Sequence, residues 1–328
     1  MKLATFRRDG SERIGLVHSS DARLFDLAAA AARDGAANRA FDSMLALIDS
    51  DASGLDAARS LFAKRGAEAD LSIDVSAAEL LAPLPQPRQM RDCMSFATHI
   101  RQSGRGARAL AALSKGGEAA FKAAMAEPLG ELAPVYQKIP IYYITNRMIV
   151  RGPGTTVLWP RYSKVMDYEL EFGIVTRGTR ANIPLGEARD HIFGYTIFND
   201  FSARDMQMVE MEGRLGPAKG KSFDGANVMG PWIVTPDEIG DPQTLKVEVR
   251  VNGEVRSRGE TAAMLFSFEE ILAHASQDET IHAGEFFGSG TVGNCCGLEI
   301  GRFLEHGDVI ELQVENIGVL KNKVERQS

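Results

Sequence analysis

Three short stretches of this chain hold side chains that could do chemistry together. In Met166-Asp167-Tyr168-Glu169-Leu170-Glu171-Phe172 a carboxylate recurs at every second position. Successive side chains of a strand point to opposite faces, so Asp167, Glu169 and Glu171 share one face, and Tyr168, Leu170 and Phe172 turn toward a core. Carboxylates in a row repel one another unless something positive sits among them. Two readings stand: a solvated strand face, or an oxygen-ligand site for a hard cation. No His or Cys is near in sequence, which argues against zinc. The second stretch, Asn199-Asp200-Phe201-Ser202-Ala203-Arg204-Asp205-Met206-Gln207, follows an apolar run, Tyr195 to Phe198, and sets Asp200 at a strand end. If the chain turns helical there, Asp200, Arg204 and Gln207 share a face; the plain alternative is a surface Arg204–Asp205 ion pair. The third, Asp92 to His99, places a histidine seven residues after an aspartate and just before a Gly- and Ala-rich segment. Its plain alternative is a structural histidine. Lys221, in the glycine-flanked loop Gly220 to Gly225, is by itself an ordinary solvated lysine.

Elements must position these groups. Leu3 to Arg7 and Ile14 to His18 flank Asp9-Gly10 as a hairpin, with Arg23 to Leu27 as a third strand. Residues 40–66 have helical apolar spacing. Pro83, Pro85 and Pro87 in APLPQPR form an extended connector, and the domain boundary is placed there. Residues 1–82 then make a small α+β N-terminal domain and 83–328 a catalytic domain, with a helical lid or insert over about 100–138. From 140 onward strands and tight turns dominate, with Asn252-Gly253 as a hairpin turn and a capping-box helix over Ser267 to Ser276. GSGTVG (Gly288 to Gly293) matches G-x-G-x-x-G, but the NCCGLEIG after it does not read as helix, so a dinucleotide site is rejected. Cys295 and Cys296 read as small buried residues close to the substrate.

The chain has 328 residues, 44% hydrophobic and 25% charged, enough for a sizeable core. With 37 Lys and Arg against 44 Asp and Glu its net charge is −7, which excludes a nucleic-acid footprint. Three cysteines cannot build a disulfide framework. No apolar run is long enough to span a bilayer, and the start lacks a signal peptide, so the expectation is cytoplasmic with no membrane partner.

Together these motifs resemble the fumarylacetoacetate hydrolase family over roughly residues 85–325. MDYELEFG is similar to its paired-glutamate strand, NDFSARDMQ to its next motif, LGPAKGKSFDGANVMGPW to its lysine loop, and GSGTVGNCCGLEIGRFLEHGDVIELQVENIGVLKN to its threonine loop and terminal strands. The resemblance implies an α+β, β-rich fold with a mixed β-roll/β-sandwich catalytic domain. It implies Asp92, Glu169, Glu171 and Asp200 as ligands of Mg²⁺ or Ca²⁺, with Mn²⁺ also suited to oxygen donors. It makes His99 the base oriented by Glu299, Lys221 and Arg204 catalytic, and Arg204, Gln207, Lys221 and Thr291 the substrate contacts. Gln102 stands where smaller members carry the glutamate partner of the histidine, and Gly225 where some carry a metal-supporting threonine. The implied reaction is hydrolysis of a C–C bond in a β-diketo acid through a metal-bound enolate, His99 activating water, in a homodimer. A decarboxylase, isomerase or dehydratase on the same site, and a non-catalytic metal-binding protein, are the alternatives.

Overall fold

The Asp9-Gly10 turn takes positive φ at both residues, 49° and 73°, and Lys2–Arg8 folds back on Ser11–Val17 as an antiparallel hairpin. This is a computed structural model that describes residues 1–35 and 37–327. The hairpin belongs to an eleven-stranded sheet. Its order runs Ser72–Asp74, Arg23–Asp26, Ser11–Val17, Lys2–Arg8, Asn227–Val234, Ile192–Asp200, Leu170–Thr176, Phe286–Gly288, Met90–Cys93 and Tyr142–Ile144, with Glu79–Leu80 also on Lys2–Arg8. Residues on both sides of APLPQPR therefore share one hydrogen-bonded sheet, joined where Leu3 pairs with Ile233. The connector itself is neither helix nor strand.

A five-stranded sheet packs on one face of the large one. Its order is Glu254–Glu260, Lys246–Val251, Val309–Val314, Gly318–Arg326 and Thr156–Trp159. The turn at Asn252-Gly253 again uses positive φ. Ile174, Ile197 and Val228 of the large sheet share a core with Val249, Leu312 and Val324 of the smaller one. The opposite face of the large sheet, through Val175, Phe198 and Ile233, packs on the helices Leu27–Arg33, Met44–Asp49 and Asp51–Arg65. The fold is α+β and strand-rich, and its central strands are buried on both faces, which is why Ile192–Asp200 has no exposed residue.

Two local departures from the sequence expectation matter for the site. The paired-glutamate strand is broken at Tyr168: Met166–Asp167 pairs with Ser202–Ala203, and a second strand begins at Leu170. The strict alternation that put Asp167 beside Glu169 and Glu171 fails at that break. NCCGLEIG does contain a helical turn, Gly297–Ile300, because Glu299 closes a capping box and Asp167 accepts the N–H groups of Gly297 and Leu298.

The segment after His99 is a long helix, Ala97–Met125, with a break at Gly117, where φ is 69°. It lies against the Gly297–Ile300 turn through Leu110 packed with Cys296 and Leu298. Gly106 permits this approach: a Cβ there would stand 2.2 Å from the Leu298 carbonyl oxygen. Gly106→Val should cost about 1–3 kcal/mol of overpacking, concentrated in this contact. Limited proteolysis should then cut within 97–125 faster than in the wild-type chain, and an unchanged cleavage rate would contradict the packing described.

Candidate active site

Neighbouring segments bring the carboxylates together. Phe286–Gly288 runs parallel to Met90–Cys93 and antiparallel to Leu170–Thr176, so Gly288 sits beside Asp92 on one side and the Glu171 strand on the other. A Cβ on Gly288 would fall 2.6 Å from Asp92 Oδ1 and 2.9 Å from Glu171 Oε2. Only glycine leaves room there. Asp200 comes from the end of the adjacent strand, one turn before the helix Arg204–Glu212. Asp92, Glu171 and Asp200 each offer an oxygen within 4.8 Å of the others, and all three are buried.

Few protein donors reach this group. Glu171 Oε2 accepts the Gly290 N–H at 3.0 Å, and Asp200 Oδ2 accepts the Tyr143 hydroxyl at 2.8 Å and the Lys221 ammonium at 2.5 Å. Asp92 Oδ1 and Asp200 Oδ1 are buried and accept nothing from the described residues. Burial pushes the Glu171 carboxyl well above the usual range, and the adjacent Asp92 adds to it. Burial also raises Asp200, to about 8, against the pull of Lys221, and raises Asp92 in the same way. Carboxylates crowded like this must share protons or hold a cation. An all-oxygen donor set with two unused buried oxygens fits a hard divalent ion.

Glu169 lies beside the cluster with its oxygens already engaged. Oε1 accepts from Arg204 Nη2 at 2.8 Å and Oε2 accepts from the Lys221 ammonium. Burial would raise this carboxyl, but Arg204, then Lys221 and His99, outweigh burial and hold it below the usual range. Arg204 is fully buried, so the surface Arg204–Asp205 pair does not form; Asp205 instead accepts from Ser163 and from the Lys164 N–H. The guanidinium bonds Asp167 Oδ2 through Nε at 2.8 Å and Gln207 Oε1 through Nη1 at 2.9 Å. The expected helix begins at Arg204, which brings Arg204 and Gln207 together on one face. Lys221 is no solvated loop lysine either. The Ala203 N–H bonds the Gly220 carbonyl, fixing the loop so that the ammonium bridges Glu169 and Asp200.

His99 is 4% exposed and sits between two carboxylates. Nε2 is 3.9 Å from Glu169 Oε1, and Nδ1 is 3.2 Å from Glu299 Oε1, close but out of line for a hydrogen bond. Glu299 is held rigidly, because its oxygens accept the Asn294 and Cys296 N–H groups at 3.1 and 2.9 Å. Gln102 bonds Asn294 instead, donating from Nε2 to its Oδ1 and accepting its backbone N–H at Oε1. The loop itself is stapled along the glutamate strand by the Leu170 N–H to Cys295 and the Val292 N–H to Leu170. Thr291, within that loop, is buried with an unpartnered hydroxyl.

Sequence reasoning missed three participants. Asp167 belongs to the Arg204 anchor and not to the carboxylate cluster. Tyr143, in a short edge strand, had no spacing signal. Cys296, expected only to be small, buried and close to the substrate, lies with His99 and Glu299, so the absence of thiol and imidazole around the Asp167 to Glu171 stretch holds along the chain but not in space.

A sequence model of the fumarylacetoacetate (FAA) hydrolase C-terminal region matches residues 115–325. The chain belongs to the fumarylacetoacetate hydrolase family. It is 36% identical over 189 residues to the oxaloacetate tautomerase YisK of Bacillus subtilis (strain 168), a stretch that spans 56% of this chain and 61% of that relative. Its structure superposes on the fumarylacetoacetate hydrolase of Exiguobacterium antarcticum with a TM-score of 0.71 at 27% identity, over 100% of both chains. The fold also matches maleylpyruvate hydrolase from Sphingobium sp. SYK-6, in complex with manganese(II) and pyruvate, with a TM-score of 0.71 at 20% identity over 100% of both chains. Relatives in this family are thus named both tautomerase and hydrolase.

Arg204 is the group whose loss should cost most. Arg204→Met leaves Asp167 and Glu169 buried without their shared cation and should lower stability by about 3–5 kcal/mol. Arg204→Lys should recover only part of this, since one ammonium cannot span the same carboxylates in a fixed fork. Urea unfolding reads both, and wild-type stability in Arg204→Met would contradict the account.

Proposed function

We propose that the chain is a divalent-metal-dependent enzyme that hydrolyses a C–C bond in a small β-diketo acid. The observation that carries the reading is His99, a buried imidazole set between rigid Glu299 and the edge of a carboxylate cluster. A structural metal site needs no such base. Asp92, Glu171 and Asp200, with Glu169 alongside, would hold Mg²⁺ or Ca²⁺, and Mn²⁺ also suits the donors. When bound, the ion acts as a Lewis acid toward the two oxygens of a chelating dicarbonyl.

The chain's own groups do the rest. His99 takes a proton from water, whose oxygen adds to the carbonyl carbon. The neighbouring C–C bond breaks, one fragment leaves as an acid and the other as an enolate, and the proton returns from the imidazolium to the enolate carbon. Glu299 stands beside the ring at Nδ1, and general-base help from an imidazole so placed is worth about 10²–10⁴-fold. Lys221 and Arg204 balance the buried negative charge, and with Gln207 they stabilise the charge that develops on the leaving enolate. The Thr291 hydroxyl, buried and without a protein partner, binds the substrate. The helix that carries His99 excludes bulk water.

A second reading is tautomerisation of a 2-oxo diacid such as oxaloacetate, favoured by the 36% identity with YisK. The same base would move a proton between carbon and oxygen, with no water consumed. Incubation with Mg²⁺ and acylpyruvates, fumarylacetoacetate or oxaloacetate separates the two. Hydrolysis predicts loss of diketone absorbance with two acid products. Faster keto–enol exchange of oxaloacetate without cleavage would support the second reading and refute the first. A chelator should abolish turnover, and metal should restore it.

His99→Ala should lower kcat by about 10²-fold or more. Metal affinity, measured by calorimetry, should stay near wild type. Full turnover in this variant would remove His99 from the mechanism.

A further inference from the structure

Beside the all-oxygen cluster a second set of ligating side chains converges. His99, Cys296 and Glu299 offer a ring nitrogen, a thiol sulfur and a carboxylate oxygen within 4.8 Å of one another. They are 4%, 0% and 1% exposed. His99 Nδ1, on the Glu299 side of the ring, is buried and makes no hydrogen bond with the described residues. Cys296 is the N-cap residue of the turn that carries Glu299, and burial, then Glu299 and Asp167, push its thiol up, so its proton leaves only as a cation arrives. Asp92, Glu171 and Asp200 present only hard oxygen donors. This second group presents nitrogen, sulfur and oxygen, the donor set that selects a borderline-soft ion over Mg²⁺ or Ca²⁺. A thiolate, a carboxylate and a neutral imidazole sum to two negative charges, which one divalent ion cancels.

We propose that His99, Cys296 and Glu299 form a separate site for a thiophilic divalent cation such as Zn²⁺ or Co²⁺, and that filling it silences the enzyme by taking the imidazole. Binding is a ligand exchange with no redox change: the Cys296 thiol proton leaves to solvent as the metal–sulfur bond forms. A ring nitrogen committed to the ion no longer lets the imidazole accept and return the catalytic proton. His99 stands in the first turn of the Ala97–Met125 helix, whose Leu110 packs on Cys296 and Leu298, so loading requires that helix to shift, and inhibition develops slowly. The silencing rests on the reading of His99 as base; the binding does not.

The test keeps the oxygen cluster saturated with Mg²⁺ and titrates the full chain with Co²⁺. A thiolate-to-cobalt charge-transfer band in the near ultraviolet should rise and saturate, and Zn²⁺ should bleach it by displacement. The band should vanish in Cys296→Ala and persist in Cys295→Ala, whose thiol is adjacent but outside the group. Loss of a ligand should weaken binding by about 100-fold or more, since removing even an outer-shell partner typically costs 10–100-fold. If Cys296→Ala does not fold, His99→Ala carries the test, with the same loss of cobalt affinity expected. No band in the wild-type chain at millimolar Co²⁺, or a band that survives in Cys296→Ala, overturns the site. A band that depends on Cys296 while Zn²⁺ leaves turnover intact would uphold the site and overturn the silencing, and with it the role of His99 as base.

Discussion

Five carboxylates buried within a few side chains of one another are the constraint around which this protein is arranged. Asp92, Asp167, Glu169, Glu171 and Asp200 are each at most 4% exposed. Removing even one carboxylate from water costs several kcal/mol unless partners replace the solvent. Arg204 and Lys221 supply two positive charges, and their placement divides the group. Asp167 and Glu169 are held by Arg204, and Lys221 joins Glu169 to Asp200. Among the described residues no cation pairs with Asp92 or Glu171, and Asp200 Oδ1 has no hydrogen-bond partner. The vacancy in charge, more than any single residue, defines where a divalent ion fits.

Holding that arrangement requires backbone from most of the chain. Three adjacent strands bring Asp92, Gly288 and Glu171 side by side, and Gly288 keeps the gap open. Asp167 spends its oxygens on Arg204 and on the N–H groups of the Gly297–Ile300 turn, which fixes the turn that carries Glu299. Glu299 in turn stands beside His99 on a helix that Gly106 allows to lie close. The charge balance of the cluster and the position of the base are thus linked through one aspartate. The residues before the proline connector contribute differently: their strands extend the same sheet, and their helices cover the face opposite the smaller sheet.

Much of this was legible in the sequence, where local rules apply. Asp9-Gly10, Asn252-Gly253 and the Ser267–Glu270 capping box each dictate their own turn or cap, and they fold as expected. The burial of Leu170 and Phe172 on the face away from Glu171 follows from strand alternation. Two features were not legible, because they depend on long-range contacts. The strand breaks at Tyr168 since Met166 and Asp167 pair with Ser202 and Ala203, and no pattern within MDYELEF marks that break. The turn at Gly297 is too short to show helical periodicity and exists because a distant aspartate satisfies its first N–H groups. Cys296 is remote from His99 in sequence, so no spacing rule could associate them.

The central claim is that the charge left uncompensated by Arg204 and Lys221 is met by a hard divalent ion. Anomalous diffraction from crystals soaked in Mn²⁺ tests it most directly. The account predicts a peak between Asp92, Glu171 and Asp200, with carboxylate oxygens at about 2.0–2.6 Å. Saturating Mn²⁺ with no peak at that position, and the three carboxylates still within reach of one another, would contradict it.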